Sequence, residues 1–222
     1  IINPLKKADV IIACNSNFNR PLLKLASDMN KTIATDVHVF SNPDDEYNRD
    51  FLRKAKILFM SDEGLKDRDI RNFVLEIYEK FNNQIIVVGC GDKGALLFEA
   101  EKQEFTEIPA VFIRPVVATS GAGDTLFSSF IYFYSKGKEP KEAMKLASIA
   151  ASYKIGEVGS SKGFLDEASI EKIRACGFWT FNYSEIYTIL LLAFWRHMLW
   201  FEILFLSIYN DTNLINMRYK KY

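Results

Sequence analysis

The sequence predicts an α/β fold, a mostly parallel sheet covered by helices on both faces. Three observations predict it. Short apolar runs of strand length alternate with segments of helical periodicity through the first two thirds of the chain. Several of those runs, such as Ile57–Met60 and Ile85–Val88, are apolar throughout rather than at every second residue, as in strands buried on both sides. A length of 222 residues with 49% apolar and 25% charged residues suits one soluble domain with a sizeable core.

The elements follow in order. Val10–Cys14 reads as a buried strand, and Arg20–Met29 as a helix with Leu22, Leu23 and Leu25 on its inner side. Ile33–Phe40 is the next strand, closed by a turn at Asn42, Pro43, Asp44 and Asp45. A helix through Asn48–Lys54 leads into the strand Ile57–Met60. Ile70, Phe73, Val74, Ile77 and Phe81 recur at helical spacing and predict a helix over Asp67–Phe81. Ile85–Val88 is a buried strand. After a turn at Gly91–Gly94, Ala95–Phe98 and Glu104–Ile108 read as an antiparallel pair. Pro115–Ala118 is strand-like, and Asp124–Tyr134 and Glu139–Ile155 are helices separated by Ser135–Lys138. Ala143, Leu146, Ala147, Ala150 and Ala151 give the second of these a face of small residues. Asp166–Ala175 is a short helix after the glycine-rich loop Gly156–Gly163. Right-handed crossovers place the strand C-termini along one edge, where such sheets bind ligands.

Charge narrows the function classes. Lys and Arg equal Asp and Glu at 28 each, so no long-range field draws the chain to nucleic acid or to an anionic membrane. Any phosphate site must be built locally. Cys14, Cys90 and Cys176 are too few and too scattered for a disulfide framework or a metal cluster, which points to a reducing cytoplasm. The start of the chain has no signal-peptide pattern. No repeat, zinc pattern or P-loop is present in the sequence.

Composition divides the chain into a core over residues 1–175 and an aromatic-rich extension over 176–222. Ile186–Tyr209 is long enough to span a bilayer, but Arg196, His197 and Glu202 near its middle argue against that. A packed or poorly folded extension, or a shifted reading frame, accounts for it better.

Chemistry concentrates in Arg114–Tyr134, RPVVATSGAGDTLFSSFIYFY. A glycine-rich turn opens directly into an apolar helix. Gly121 and Gly123 allow successive N–H groups to face one side as an anion-binding nest, and the helix N-terminus adds unpaired donors. Asp124 falls in the first turn. A carboxylate beside such donors suits a phosphoryl-transfer base, and it equally suits a helix cap.

TSGAGDTLFSSF resembles the (D)TxGAGDxF signature of the PfkB/ribokinase-like family of carbohydrate and nucleoside kinases. The resemblance implies a three-layer αβα, ribokinase-like (Rossmann-like) fold. It implies Gly121, Ala122 and Gly123 as the anion hole and Asp124 as the base that deprotonates a substrate hydroxyl. VVGCGDKG resembles the family's strand followed by a G-x-x-G turn, which implies Gly91, Asp92, Lys93 and Gly94, with Gly123 and Asp124, at ATP. Thr35-Asp36 ends a strand much as the family's T/F-D does near the active-site edge. Gly156–Gly163 matches a loop near the nucleotide and a monovalent cation. KILFMSDEGL resembles the segment of the N-x-x-E motif that organises Mg²⁺ and phosphate.

The match has gaps. It covers roughly Ala8–Arg174, the later two thirds of a typical member, without the preceding strands, β-lid and substrate-gripping residues. Asp62 stands for the expected Asn and Gly64 for the Glu, leaving Asp62 and Glu63 to reach Mg²⁺ through water. Ala118 stands where many members place a cation-binding Asp, which weakens the case for a monovalent cation. His38, His197 and Lys93 have ordinary structural readings as well. The expectation is an ATP- and Mg²⁺-dependent phosphotransferase acting on a hydroxyl of a sugar or nucleoside, as a homodimer in its full-length form. The alternative is a truncated, inactive nucleotide-binding remnant of such a kinase.

Overall fold

The computed structural model describes residues 2–66 and 68–176. His197 and the apolar stretch 186–209, with nearly all of the extension, lie outside the described residues.

The chain begins with a short helix α1 (Ile2–Lys7), followed by β1 (Val10–Ile12), α2 (Arg20–Asp28), β2 (Thr32–Val39), α3 (Arg49–Lys54), β3 (Ile57–Ser61), α4 (Ile70–Phe81) and β4 (Ile85–Gly89). β5 (Ala95–Glu99) and β6 (Glu104–Ile108) come next, then α5 (Ala122–Ser135), α6 (Pro140–Lys154) and α7 (Glu167–Ala175). The six strands form one sheet in sequential order, β1 to β4 parallel and β4, β5 and β6 antiparallel.

Sequential order under right-handed crossovers puts α2, α3 and α4 on the same face. There Ile33 and Val37 of β2, Leu58 and Met60 of β3, and Ile86 and Val88 of β4 meet Leu23, Leu52, Phe73 and Ile77. The other face is left for the helices after the hairpin. Ala34, Ile57, Phe59, Ile85, Val87 and Leu97 pack against Phe127, Phe130, Ala143, Leu146 and Ala147. β3 and β4 are therefore buried on both sides, as their unbroken apolar sequences require.

Aromatic packing fixes α5 on the sheet. Phe59 meets the rings of Phe127 at 5.0 Å and Phe130 at 5.2 Å, within the range for tilted aromatic pairs. The small face of α6 (Ala143, Ala147, Ala150) lets that helix lie close to α5.

Two segments depart from the sequence reading by more than two residues. Pro115–Ala118 is irregular rather than a strand. Pro115 has no N–H, and the Val117 and Ala118 amides both donate to the Ile155 carbonyl, at 2.8 and 3.0 Å, rather than to a strand. α4 begins at Ile70 because the Asp69 carboxylate caps it, accepting from the Asn72 amide at 2.9 Å.

Asn83, fully buried, donates from Nδ2 to the carbonyls of Leu52 at 2.9 Å and Ala55 at 2.7 Å, joining the end of α3 to the start of β4. Asn83→Ala leaves two buried carbonyls without this donor. The expected loss is about 2–3 kcal/mol, read as a lower urea midpoint with an unchanged slope.

Candidate functional site

Parallel strands β1 to β4 end at one edge of the sheet, so the loops that follow them converge there. Cys14 follows β1, Asp36 lies in β2, Asp62 follows β3 and the Gly91–Gly94 turn follows β4.

The segment Gly121–Asp124 reaches this edge at the N-terminus of α5. Gly121 is the N-cap residue in the left-handed region (φ 78°), a conformation that a Cβ would strain. Its carbonyl accepts from both the Thr125 amide and the Thr125 hydroxyl, at 3.0 and 2.8 Å. The Ala122 amide donates to the Thr119 carbonyl at 3.1 Å. The amides of Gly123 and Asp124 meet no acceptor among the described residues, as expected for the first turn of a helix. A Cβ on Gly123 would have no protein atom within 4 Å, so nothing in the packing requires glycine there. The space beside it is open to a ligand.

The Asp124 side chain is exposed and has no hydrogen-bond or ion-pair partner among the described residues. It does not cap α5, a role that falls to the backbone of Gly121. Beneath the turn, Lys154 donates from Nζ to the carbonyls of Gly159 at 2.7 Å and Ser120 at 3.3 Å. The loop after α6 is held from the other side by Arg114. Its Nε donates to the Tyr153 carbonyl at 2.8 Å, its guanidinium pairs with Glu157 at 3.1 Å, and it lies 3.8 Å above the Tyr153 ring.

Asp36 alternates along β2 onto the same face as Ala34, the face that α5 covers. It is buried, and its carboxylate accepts from the His38 amide at 2.8 Å. Burial raises the pKa of this carboxyl, the His38 amide and imidazole oppose the shift, and the charge of Asp124 adds to it. Burial also pushes the Cys14 thiol up, with Asp36 and Asp124 contributing. Asp36, Cys14 and Asp124 thus share one electrostatic neighbourhood, although a long stretch of sequence separates the first two from the third. His38 adopts a left-handed backbone (φ 57°) where the β2–β3 register shifts. Its ring stands 3.7 Å from the Asp36 carboxylate. The resemblance puts Thr35-Asp36 at a strand end near the active-site edge but gives Asp36 no role there. The alternation of Ala34 inward and Asp36 inward on one face is the available signal.

Of the remaining predicted residues, two line a common cleft. Asp62 and Lys93 line a cleft of about 630 Å³ with Asp69, Arg71, Cys90 and Glu107. Asp124 does not line it. Burial and the nearby Asp62 push the Cys90 thiol up to about 11. Glu63 is exposed, its amide donating to the Ser61 hydroxyl at 3.3 Å. Asp92 and Gly91 are exposed on the turn, and Gly94 (φ 99°) is held by its surroundings, because a Cβ there would come 2.1 Å from the Ile108 carbonyl oxygen. No group of three His, Cys, Asp or Glu side chains able to hold a metal occurs among the described residues. Asp62 fits Mg²⁺ only as a single hard ligand whose other positions are filled by water and ligand phosphates. Among the described residues no helix is long and apolar enough to cross a membrane.

Known proteins resemble this chain in sequence and fold. The family model for pfkB family carbohydrate kinase matches residues 3–167. The bifunctional protein HldE of a Nitratiruptor species is 31% identical over 101 residues, which are 46% of this chain and 21% of that protein. The cytidine kinase of Thermococcus kodakarensis is 23% identical over 148 residues, 66% of this chain and 46% of the relative. Among solved structures, a microbiome-derived acarbose kinase superposes with a TM-score of 0.71 at 23% identity, over 78% of this chain and 58% of that one. At such identity the superposition speaks for the fold. The chain spans about a fifth of the length of the HldE relative and under three fifths of the solved structure. A family match across most of the chain, on a fold that the solved kinase shares, shows that this chain belongs to the pfkB family of carbohydrate kinases.

Proposed function

We propose that the chain is the catalytic portion of an ATP-dependent phosphotransferase whose acceptor is a hydroxyl of a sugar or nucleoside, with Asp124 as general base. One observation carries this reading. An exposed carboxylate without a partner among the described residues stands in the first turn of α5, next to two amides with no acceptor and a glycine with open space beside it. A structural helix cap would have used that carboxylate. Family membership and a cytidine kinase among the relatives support the choice of acceptor.

Asp124 accepts the proton of the attacking hydroxyl as the new oxygen–phosphorus bond forms and the bond to ADP breaks. The Gly123 and Asp124 amides, with Gly121 and Ala122 shaping the turn, bind the charge on the phosphoryl oxygens. ATP supplies the phosphoryl group, and the Gly91–Gly94 turn with Asp92 and Lys93 lies against it. Asp62, assisted by Glu63 through water, would hold Mg²⁺, which would supply positive charge to offset that of the phosphates. The reading assigns the core to residues 1–175.

A second reading, a nucleotide-binding remnant without turnover, draws on Gly64. It supplies no carboxylate where the family motif has Glu, and its Cβ position lies 3.2 Å from the Val39 side chain.

ATP turnover against a panel of sugars and nucleosides separates the two. Acceptor-dependent ADP release is expected, reduced by about 10² or more in Asp124→Asn with the fold intact. MgATP binding without ADP release from any acceptor supports the remnant instead.

Glycine substitutions provide a second check. Gly123→Ala sits in a helix with open space, so stability should hold or rise slightly, by up to about 1 kcal/mol. ATP affinity should fall about tenfold as the methyl group blocks one amide, by calorimetry. Gly94→Ala should instead lose about 1–3 kcal/mol of stability to backbone strain and collision, read as a lower urea midpoint.

A further inference from the structure

Lys154 ends α6 and is 0% exposed, the only lysine or arginine buried to that degree among the described residues. Its side chain makes no ion pair among the described residues. Burying a charge without a counter-charge is costly. The C-terminal end of the α6 dipole offsets part of that cost. Both hydrogen-bond partners are backbone carbonyls, Gly159 at 2.7 Å and Ser120 at 3.3 Å, and they belong to two separate loops. Backbone carbonyl oxygens are also the ligands that hold a potassium ion, and an ammonium group resembles that ion in charge and size.

The lysine also lies against the phosphate nest. Its Cε is 3.5 Å from the position a Gly121 Cβ would take, and Ser120, whose carbonyl it holds, immediately precedes that residue. A positive charge under the turn and two free amides above it lack only an anion.

We propose that Lys154 is a built-in cation, holding the Ser120 and Gly159 loops together and supplying the charge that a nucleotide phosphate on the Gly123 and Asp124 amides neutralises. Binding at this nest therefore needs no added monovalent cation. The inference rests on the reading of Gly121–Asp124 as a nucleotide site and assigns Lys154 a positioning and electrostatic role there, without contact to the reacting atoms.

The test is MgATP binding by calorimetry, in potassium chloride and in tetramethylammonium chloride at equal ionic strength. The wild-type protein should bind with the same affinity in both salts, within about twofold. Lys154→Ala removes the ammonium and leaves room for an ion, so its affinity should fall tenfold or more in tetramethylammonium and recover in potassium. Lys154→Met removes the charge and fills the space, so it should bind weakly in both salts. Lys154→Arg should keep salt-independent binding. A purely structural clasp would not create a potassium requirement. Wild-type affinity that rises fivefold or more with potassium overturns the proposal, even if no variant folds. So does Lys154→Ala or Lys154→Met binding like wild type in tetramethylammonium. Wild-type protein that binds no MgATP in either salt overturns the nucleotide-site reading, and this inference with it.

Discussion

Parallel pairing of β1 to β4 is the constraint on which the rest depends. Parallel neighbours cannot be joined by a hairpin, so each connection crosses the sheet through a helix and returns to the starting edge. Every loop that follows a strand then emerges on the same side, and Cys14, Asp36, Asp62 and Gly91 come to one edge from four stretches of sequence. Sequential strand order has a second effect. α2, α3 and α4 share one face, leaving the other free for α5, α6 and α7. The antiparallel turn from β4 to β6 is what carries the chain across. Without that switch α5 would not reach the face onto which Asp36 points.

The site is built by local electrostatics in a chain of zero net charge. Its positive character comes from unpaired amides at a helix start and from one lysine ammonium enclosed by carbonyls. Its negative character comes from Asp124, exposed, and Asp36, buried deeply enough for desolvation to oppose its charge. Two carboxyl groups in the same field but in different solvation are thereby set apart. The exposed group remains available to a ligand, while the buried one is committed to the His38 amide. Rigidity is supplied from below. Lys154 and Arg114 tie the turn before α5 and the loop after α6 to the end of α6, which is itself packed against the sheet.

Glycines with similar appearance in the sequence do different jobs. Gly94 is fixed by the backbone of Ile108 and Ala110 close beside it, a requirement of the β4–β5 turn and its neighbour strand. Gly123 has no such neighbour. A glycine that the packing requires and one that it does not are distinguished by what surrounds them, which is a tertiary property.

The fold class, the succession of strands and helices along the chain, and the glycine-rich turn that opens α5 were all legible in the residues alone. Each of these is set by short-range pattern: unbroken apolar runs such as Ile85–Val88, helical spacing such as Phe73 to Ile77, and glycines placed at a helix start. Pro115–Ala118 misled because an apolar run needs an open neighbouring strand to become one, and here the amides found Ile155 instead. Which predicted residues meet became visible only in the packed molecule. Asp62 and Lys93 share a cleft, the charge of Asp124 is felt at Asp36 and Cys14, and Lys154 lies under Gly121. The reason is physical. Side-chain direction along a strand is local, but which helix covers that face depends on crossover handedness and strand order, and these are settled when the whole core packs.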